Sequence, residues 1–264
     1  MHPSYDELLT LAREVALEAA SLVAERRRAG VEVADTKTSP TDVVTEVDHA
    51  AEELIRKRLL AARPGDGFVG EEGSADASDS GVTWVVDPID GTVNFLYGIP
   101  QYAISIAARI DDEVVAGVVV DVVKGECFTA TRGGGAHLDR RPVGVRDDVP
   151  LAHRLVITGF SYERETRMAQ AAAVHELLGR VRDVRRLGSA ALDLCYVASG
   201  RADAYVEEGL NDWDLAAGAL VVEEAGGRVA ERPGAGGKRC VVAAPVAGFD
   251  EFVTAVRDCG FLAS

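Results

Sequence analysis

Two aspartates close an apolar segment of this sequence, in the stretch WVVDPIDGTVNF at residues 84–95. Only a proline and an isoleucine separate Asp87 from Asp90. Because Pro88 restricts the residue before it and has no backbone N–H, we expect the turn to aim both carboxylates and the Ile89 carbonyl toward one point. Carboxylates held this close repel each other unless a cation neutralises them, and hard divalent cations prefer oxygen ligands. The stretch therefore predicts a metal site, with a metal-free turn capped by aspartate side chains as the alternative.

Two further acids stand at the ends of predicted elements. Glu71 follows the short apolar segment FVG, and Asp214 begins the apolar stretch WDLAAGALVVEEAG. The simpler interpretations are a solvated turn acid and an acid that complements the N-terminus of a helix. If both residues reach Asp87 and Asp90, four carboxylates share one point, and such a cluster requires metal, for which we expect more than one Mg²⁺ ion.

The elements that must position these acids can be read from hydrophobic spacing. Residues 4–28 have helical spacing, and Thr45 with Asp48 predicts a capping box before a second helix that ends near Leu60. The following segments alternate in hydrophobicity and predict antiparallel hairpins. Beyond Pro150 predicted strands alternate with helices, which favours an α/β (α+β) fold.

The change of pattern near Pro150 also suggests two parts of the chain. We predict an N-terminal α+β half, residues 1–150, that carries most of the acids. Residues 151–264 then form a C-terminal α/β half that contains Asp214. If Asp214 reaches Asp87 and Asp90, the two halves meet at the acid cluster.

Charge and composition exclude several function classes. The 264-residue chain has a net charge of -15, which repels nucleic acid and anionic membranes. The longest apolar runs are shorter than the ~20 residues of a membrane span, and the first residues lack the features of a signal peptide. The four cysteines are scattered without metal-ligand spacing, as expected of packed, reduced thiols in a cytoplasmic protein. They are Cys127, Cys195, Cys240 and Cys259.

Two of these segments carry a resemblance to a known family. WVVDPIDGTVNFLY and WDLAAGALVVEEAGG resemble the two signature segments of the inositol monophosphatases, and GEEG upstream resembles their third metal motif. The resemblance runs from the first helix to near the C-terminus. It implies a layered αβαβα sandwich, a lithium-sensitive phosphatase that uses two or three Mg²⁺ ions, and a homodimer.

The resemblance also assigns roles to individual residues. The metal ligands it implies are the side chains of four acids and one backbone carbonyl. The four acids are Glu71, Asp87, Asp90 and Asp214, and the carbonyl is that of Ile89. The resemblance also implies that Gly91 and Thr92 form a turn that contacts the phosphate. The hydroxyl of Thr92 would help Glu71 to activate the attacking water, and Asp48 would be the partner of this hydroxyl. Lys37 matches a lysine that the family carries on a flexible loop near the site.

The C-terminal half resembles the branch of the family that hydrolyses inositol 1-phosphate. Gly188, Ser189 and Ala190 match a helix N-terminal segment that lines the substrate pocket, Asp90 also contacts substrate, and Glu207 matches an acid that accepts hydrogen bonds from a polyol. A carboxylate there disfavours a second phosphate on the substrate. A surface acid at a strand end is the alternative for Glu207.

Three alternatives remain for the function. Two of them lie within the same superfamily. One is a histidinol-phosphate phosphatase, whose substrate carries an amine that would also suit Glu207, and the other is a broad sugar phosphatase. Outside enzymes, the chain could be a protein-binding scaffold with a vestigial metal site. Against the scaffold, every metal-ligand position holds an oxygen donor.

Overall fold

The computed structural model describes residues 3–30, 33–36 and 43–263. Short 3-10 helices at Leu151–His153 and Val246–Gly248 accompany the α-helices of this part of the chain. The α-helices are α1 (Tyr5–Ala29), α2 (Glu46–Ala62), α3 (Thr92–Tyr97), α4 (Arg164–Leu178), α5 (Ala190–Ala198), α6 (Asp212–Glu224) and α7 (Phe249–Asp258).

The strands of the described residues form one small sheet and two large ones. The small sheet pairs β1 (Val33–Thr36) with β2 (Val43–Thr45). The first large sheet has the order β10-β9-β8-β7-β6-β5-β3-β4, in which only the β3–β5 pair is parallel. Its strands are β3 (Gly67–Gly70), β4 (Ala75–Asp76), β5 (Val82–Asp90), β6 (Ala103–Ile110), β7 (Glu113–Asp121), β8 (Cys127–Thr131), β9 (Gly135–Leu138) and β10 (Arg141–Pro142).

The second large sheet is mixed and has the order β12-β11-β13-β15-β14. The strand β11 pairs parallel with both of its neighbours, whereas β15 is antiparallel to both of its own. Its strands are β11 (Leu155–Thr158), β12 (Asp183–Arg185), β13 (Ala204–Glu208), β14 (Gly227–Pro233) and β15 (Arg239–Pro245).

Three hydrophobic cores stack these elements into five layers. The first core joins α1 and α2 to one face of the eight-stranded sheet. The second places α5 and α6 between the two large sheets, and every residue of α5 is buried, as expected of a helix that is apolar on all sides. The third covers the outer face of the five-stranded sheet with α4 and α7. The predicted αβαβα sandwich is confirmed.

Local signals place the two N-terminal helices. Ser4 and Glu7 form a capping box at the start of α1, and the basic residues 26–28 lie in its last turn. Thr45 and Asp48 form the capping box predicted for α2. Each box satisfies backbone N–H groups that have no partner within the helix.

Three elements differ from the sequence-based prediction. The helix α3, only six residues long, follows Gly91 where the sequence suggests a simple turn, because it is too short to show helical spacing. The strand β14 was not predicted, since its charged residues mask alternation. The stretch VRDVRRL at residues 181–187 predicts a strand longer than the observed β12, which covers only Asp183–Arg185. The two-half division near Pro150 stays a prediction.

The four cysteines are free and buried, as expected of packed thiols. Burial raises the pKa of Cys195 well above its usual value, so this thiol is held in the neutral form. None of the helices in the described part of the chain is both long and apolar enough to cross a membrane.

Candidate active site

A β-bulge at the end of β5 presents two of the acids. Asp87 pairs with Ser105 of β6 and Asp90 pairs with Ala103, so β5 advances three residues where β6 advances two. The extra residue bends the strand and re-aims its side chains, as bulges beside active sites often do. Asp87 and Asp90 are buried there, with 1% and 7% of their surfaces exposed.

Asp214 completes a three-acid cluster from the other half of the chain. One carboxylate oxygen from each of Asp87, Asp90 and Asp214 lies within 4.8 Å of the other two. Asp214 is also the third residue of α6, and its Oδ2 accepts the N–H of Asn211 at 2.7 Å. Both interpretations of this acid therefore hold at once, because one carboxylate caps the helix and faces the cluster.

Glu71 is brought beside this cluster by the one parallel strand pair of the first large sheet. Gly70 of β3 pairs with Val86 of β5, so both strands end at the same edge of the sheet. The N–H of Glu71 donates to the carbonyl of Val86 at 3.2 Å, which places Glu71 beside Asp87. Glu71 lines the same cavity as the three aspartates.

Burial and mutual repulsion make this cluster unfavourable without a cation. Burial, and after it the charges of Glu71, Asp90 and Asp214, raise the pKa of Asp87 well above its usual range. Burial also raises the pKa of Asp90 to about 7, although hydrogen bonds from Ser189 and Ala191 oppose the shift. Burial, and after it the charges of Glu71 and Asp90, raise the pKa of Asp214 well above its usual range. A set of carboxylates beside a backbone carbonyl fits a hard divalent cation such as Mg²⁺.

A buried hydroxyl adjoins the acids. Thr92, the first residue of α3, has its Oγ1 3.0 Å from Asp48 Oδ1 and 3.0 Å from the carbonyl oxygen of Ile89. Asp48 is held in turn by the backbone N–H of Thr45 at 2.8 Å and by the hydroxyl of the same residue. Burial raises the pKa of Asp48, although these hydrogen bonds oppose the shift. The predicted partners Thr92 and Asp48 are thus in contact.

Gly91, between the bulge and α3, has a conformation and a neighbourhood that exclude a side chain. Its φ is +98°, and a Cβ there would lie 2.9 Å from the carbonyl oxygen of Gln101 and 3.0 Å from that of Gly188. The side-chain amide of Asn94 donates to the carbonyl oxygens of Gln101 and Leu187, each at 2.8 Å. This turn of the N-terminal half is therefore packed directly on the segment that precedes α5.

Gly188, Ser189 and Ala190 occupy different positions relative to the cavity. Gly188 and Ala190 line it. Ser189 does not line it, because its hydroxyl donates to Asp90 Oδ2 at 2.5 Å and only 1% of the residue is exposed. The side chain of Ser189 turns inward and supports an acid of the cluster, and a role of this residue in binding substrate stays a prediction.

One cavity of about 350 Å³ holds both the acid cluster and the residues expected to contact the alcohol. Glu207 of β13 faces this cavity, and Tyr205 Oη donates to Glu207 Oε2 at 2.7 Å. Burial raises the pKa of Glu207, although the hydrogen bond from Tyr205 and the charge of Arg186 oppose the shift. The cavity is lined by Glu71, Asp87, Ile89, Asp90, Gly91, Thr92, Phe160, Ser161, Tyr162, Glu163, Arg186, Gly188, Ala190, Glu207, Glu208, Gly209, Leu210, Asn211, Trp213, Asp214 and Lys238.

The sequence offers Arg185 and Arg186 as charges that could steer phosphate without choosing between them, it does not reveal Asp193, and one prediction cannot be placed. Arg186 lines the cavity, whereas the neighbouring Arg185 is paired with Asp183. Asp193 of α5 is 1% exposed, and neither of its oxygens has a hydrogen-bond partner among the described residues. No motif marks these contacts, because each joins residues distant in the chain. Lys37 lies outside the described residues.

Comparison with known proteins connects this site to one family. The model of a family described as "Inositol monophosphatase family" matches residues 4–259. The chain is 47% identical over 273 residues to the inositol-1-monophosphatase SuhB of Mycobacterium tuberculosis, a match that covers 95% of this chain and 93% of that protein. It is 40% identical over 226 residues to the Nus factor SuhB of Pasteurella multocida, which covers 85% of each.

A solved structure is similar over almost the whole molecule. The structure of Mycobacterium tuberculosis SuhB superposes with a TM-score of 0.85 and 41% sequence identity. The match covers 99% of this chain and 100% of that chain. The matched region therefore includes the segments that form both large sheets of this chain and those that carry its clustered acids.

Proposed function

The chain belongs to the inositol monophosphatase family, and we propose that it is a Mg²⁺-dependent phosphomonoesterase that converts inositol 1-phosphate to inositol and phosphate. The observation that carries this proposal is the meeting of Asp87, Asp90 and Asp214 in one cavity with Glu207. That cavity combines acids suited to metal with an acid suited to hydroxyl groups. Its volume, about 350 Å³, falls in the range of small-molecule sites.

Four carboxylates and one carbonyl would hold two or three Mg²⁺ ions. When bound, Mg²⁺ supplies positive charge for the phosphate and makes a nearby water more acidic. It also makes an acidic cavity attractive to an anion. The proposed ligands are Glu71, Asp87, Asp90 and Asp214 with the carbonyl of Ile89.

The protein itself positions the phosphate and handles the proton of the attacking water. Gly91 and Thr92 are proposed to contact the phosphate from the turn after the bulge. The Thr92 hydroxyl lies between Asp48 and the Ile89 carbonyl, so it can accept a proton from water while donating its own to Asp48. Together with Glu71, this pair would orient the water for in-line attack on phosphorus.

The alcohol would lie toward Glu207. A carboxylate accepts hydrogen bonds from neighbouring hydroxyls of a polyol, and Tyr205 fixes its orientation. Gly188 and Ala190 would line this end of the pocket, and Asp90 would contact both metal and substrate. A second phosphate beside Glu207 would be repelled, which favours monophosphates over bisphosphates.

We also propose a homodimer in the cytoplasm, inhibited by lithium as the family resemblance implies. Support for the dimer comes from exposed apolar side chains near the end of α3: Tyr97 is 76% exposed and Ile99 is 48% exposed. A third exposed apolar side chain, Val123 at 45%, follows Val122, whose N–H donates to the carbonyl of Tyr102 at 3.3 Å. Mass measurement by light scattering, with Tyr97→Ser as the variant, tests this surface.

Alternative substrates and a second function are tested separately. Histidinol phosphate or other sugar phosphates would suit the same mechanism with a different alcohol. A second candidate function is binding to another protein, which is favoured by the name Nus factor given to some relatives. Binding of nucleic acid by the chain alone is disfavoured by the net charge of -15, and a gel shift with and without Mg²⁺ checks it.

The deciding experiment measures phosphate release near neutral pH with millimolar Mg²⁺. The substrates are inositol 1-phosphate, histidinol phosphate, fructose 1,6-bisphosphate and adenosine 3′,5′-bisphosphate. Preference for inositol 1-phosphate, abolished by a chelator, is the expected result. Preference for another ester would keep the mechanism and replace the substrate, while no release from any ester by folded protein would favour the protein-binding alternative.

A further inference from the structure

A buried acid outside the cavity holds the turn that carries Glu71. We call residues 70–74 the Glu71 turn. Glu52 of α2 is 2% exposed and does not line the cavity. Its Oε2 accepts the N–H of Glu72 at 2.8 Å, and its Oε1 accepts the N–H of Ser74 at 3.2 Å. Both oxygens of one carboxylate are therefore used to hold the backbone of this turn.

Gly70 allows the carboxylate to come this close. A Cβ at Gly70 would lie 2.3 Å from Glu52 Oε2, well inside contact distance. On its other side, the turn is held by the hydrogen bond from the N–H of Glu71 to the carbonyl of Val86. Glu71 thus lies between two anchors, one on β5 and one on α2.

The same helix also holds Thr92. Asp48 and Glu52 are four residues apart on α2, so their side chains lie on one face of the helix. Asp48 contacts the Thr92 hydroxyl, while Glu52 contacts the Glu71 turn. One face of α2 therefore holds both residues that are proposed to orient the attacking water, Thr92 through Asp48 and Glu71 through Glu52.

The structure assigns Glu52 the role of a positioning residue, which fixes the Glu71 turn so that Glu71 can bind metal. This inference rests on the proposed function, because Glu71 is a metal ligand only in that proposal. A carboxylate is required because two N–H donors converge on it and it has no donor of its own. Glutamine would turn its amide group toward one of these N–H groups and lose that bond.

The test compares Glu52→Gln with Asp66→Asn in the full-length protein. Asp66 is a matched control, since it is 3% exposed, accepts bonds from Trp84 Nε1 at 3.0 Å and Ser80 Oγ at 2.6 Å, and lies at the other end of β3 outside the cavity. The first measurement is thermal unfolding of metal-free protein titrated with Mg²⁺, which reports binding without catalysis. The second is the Mg²⁺ concentration that gives half-maximal phosphate release.

Glu52→Gln is expected to raise both Mg²⁺ midpoints by about 10- to 100-fold, the usual cost of losing a residue that supports a metal ligand. At saturating Mg²⁺, the KM for the ester should stay within about twofold, because Glu52 does not reach the substrate. Asp66→Asn should lower the unfolding temperature but leave the Mg²⁺ midpoint unchanged. If the two variants shift that midpoint equally, or Glu52→Gln does not shift it, the inference is overturned.

Gly70→Ala is a second variant in case Glu52→Gln does not fold. Its methyl group would displace the Glu52 carboxylate without removing a charge, so the same rise in Mg²⁺ midpoint is expected. A parent protein that hydrolyses no ester, but whose Mg²⁺ midpoint still rises in Glu52→Gln, would refute the proposed function and leave this inference standing. A parent protein that Mg²⁺ does not stabilise would overturn this inference.

Discussion

The Thr92 hydroxyl oxygen lies 3.0 Å from Asp48 Oδ1, although 44 residues separate the two in the chain. Thr92 begins α3 and Asp48 belongs to the capping box of α2, so two helix starts meet beside the acid cluster. Both residues are buried, which strengthens their hydrogen bond and isolates the proton it carries from solvent. The contact joins a structural role, the cap of α2, to the proposed handling of the proton.

Thr92→Val should abolish most of the activity while preserving the fold. The substitution keeps the branched shape but removes the hydroxyl, so we expect kcat to fall by about 10²- to 10⁴-fold, the usual contribution of a positioned acid–base group. Thr92→Ser, which keeps the hydroxyl, is the matched control and should retain most of kcat. Steady-state phosphate release measures both, and equal activity of the valine and serine variants would refute the assignment.

The metal-free protein should lose stability as pH rises. Burial raises the pKa of Asp90 from 3.8 to about 7, so between these values the folded state binds more protons than the unfolded state. The free energy of unfolding therefore falls as pH increases through this window. The pKa values of Asp87 and Asp214 are raised as well and act in the same direction.

Thermal unfolding in a chelator at pH 5 and pH 7.5 checks this dependence. Arginine partners lower the pKa values of other acids, such as Asp76 and Glu126. These acids titrate below this pH range, so they do not contribute to the change in stability across it. We expect the unfolding temperature to fall by several degrees between the two pH values, and excess Mg²⁺ to remove the fall. An unfolding temperature that rises with pH in the chelator would contradict the predicted repulsion.

Ser189→Ala should weaken metal binding without changing the lining of the pocket. The hydroxyl of Ser189 stabilises the ionised form of Asp90, so its loss should raise the pKa of Asp90 further and make Mg²⁺ compete with a proton. We expect the Mg²⁺ midpoint at pH 7 to rise by about 10-fold. Ser199→Ala is the control at the other end of α5, where the hydroxyl donates to the carbonyl of Cys195.

Glu207→Gln should change substrate choice more than catalysis. The variant keeps the shape of the side chain but removes the charge that accepts hydroxyl groups, so kcat/KM for inositol 1-phosphate should fall by about 10-fold or more. A generic aryl phosphate, which has no such hydroxyls, should be affected less. Glu231→Gln, an exposed acid on β14, is the control, and equal losses on both esters would assign Glu207 a structural role.

Local chemistry by itself determined several parts of this protein. The capping box of Thr45 and Asp48 starts α2 because its hydrogen bonds join residues three positions apart. The Asp-Pro-Ile-Asp stretch predicts converging acids, because the proline and the short spacing restrict the backbone there. The family resemblance supplied the αβαβα sandwich, which the five observed layers confirm.

Only the tertiary structure decided how distant segments meet. Ser189 stands between two pocket residues in sequence, yet its hydroxyl turns inward to Asp90, 99 residues away. Glu52 looks like an ordinary helix acid until the Glu71 turn is packed against it. Such contacts leave no local signal, because their energy depends on burial and on the partner that another layer provides. The sequence therefore determined which groups can do the chemistry, and packing of the layers decided which residues hold them in place.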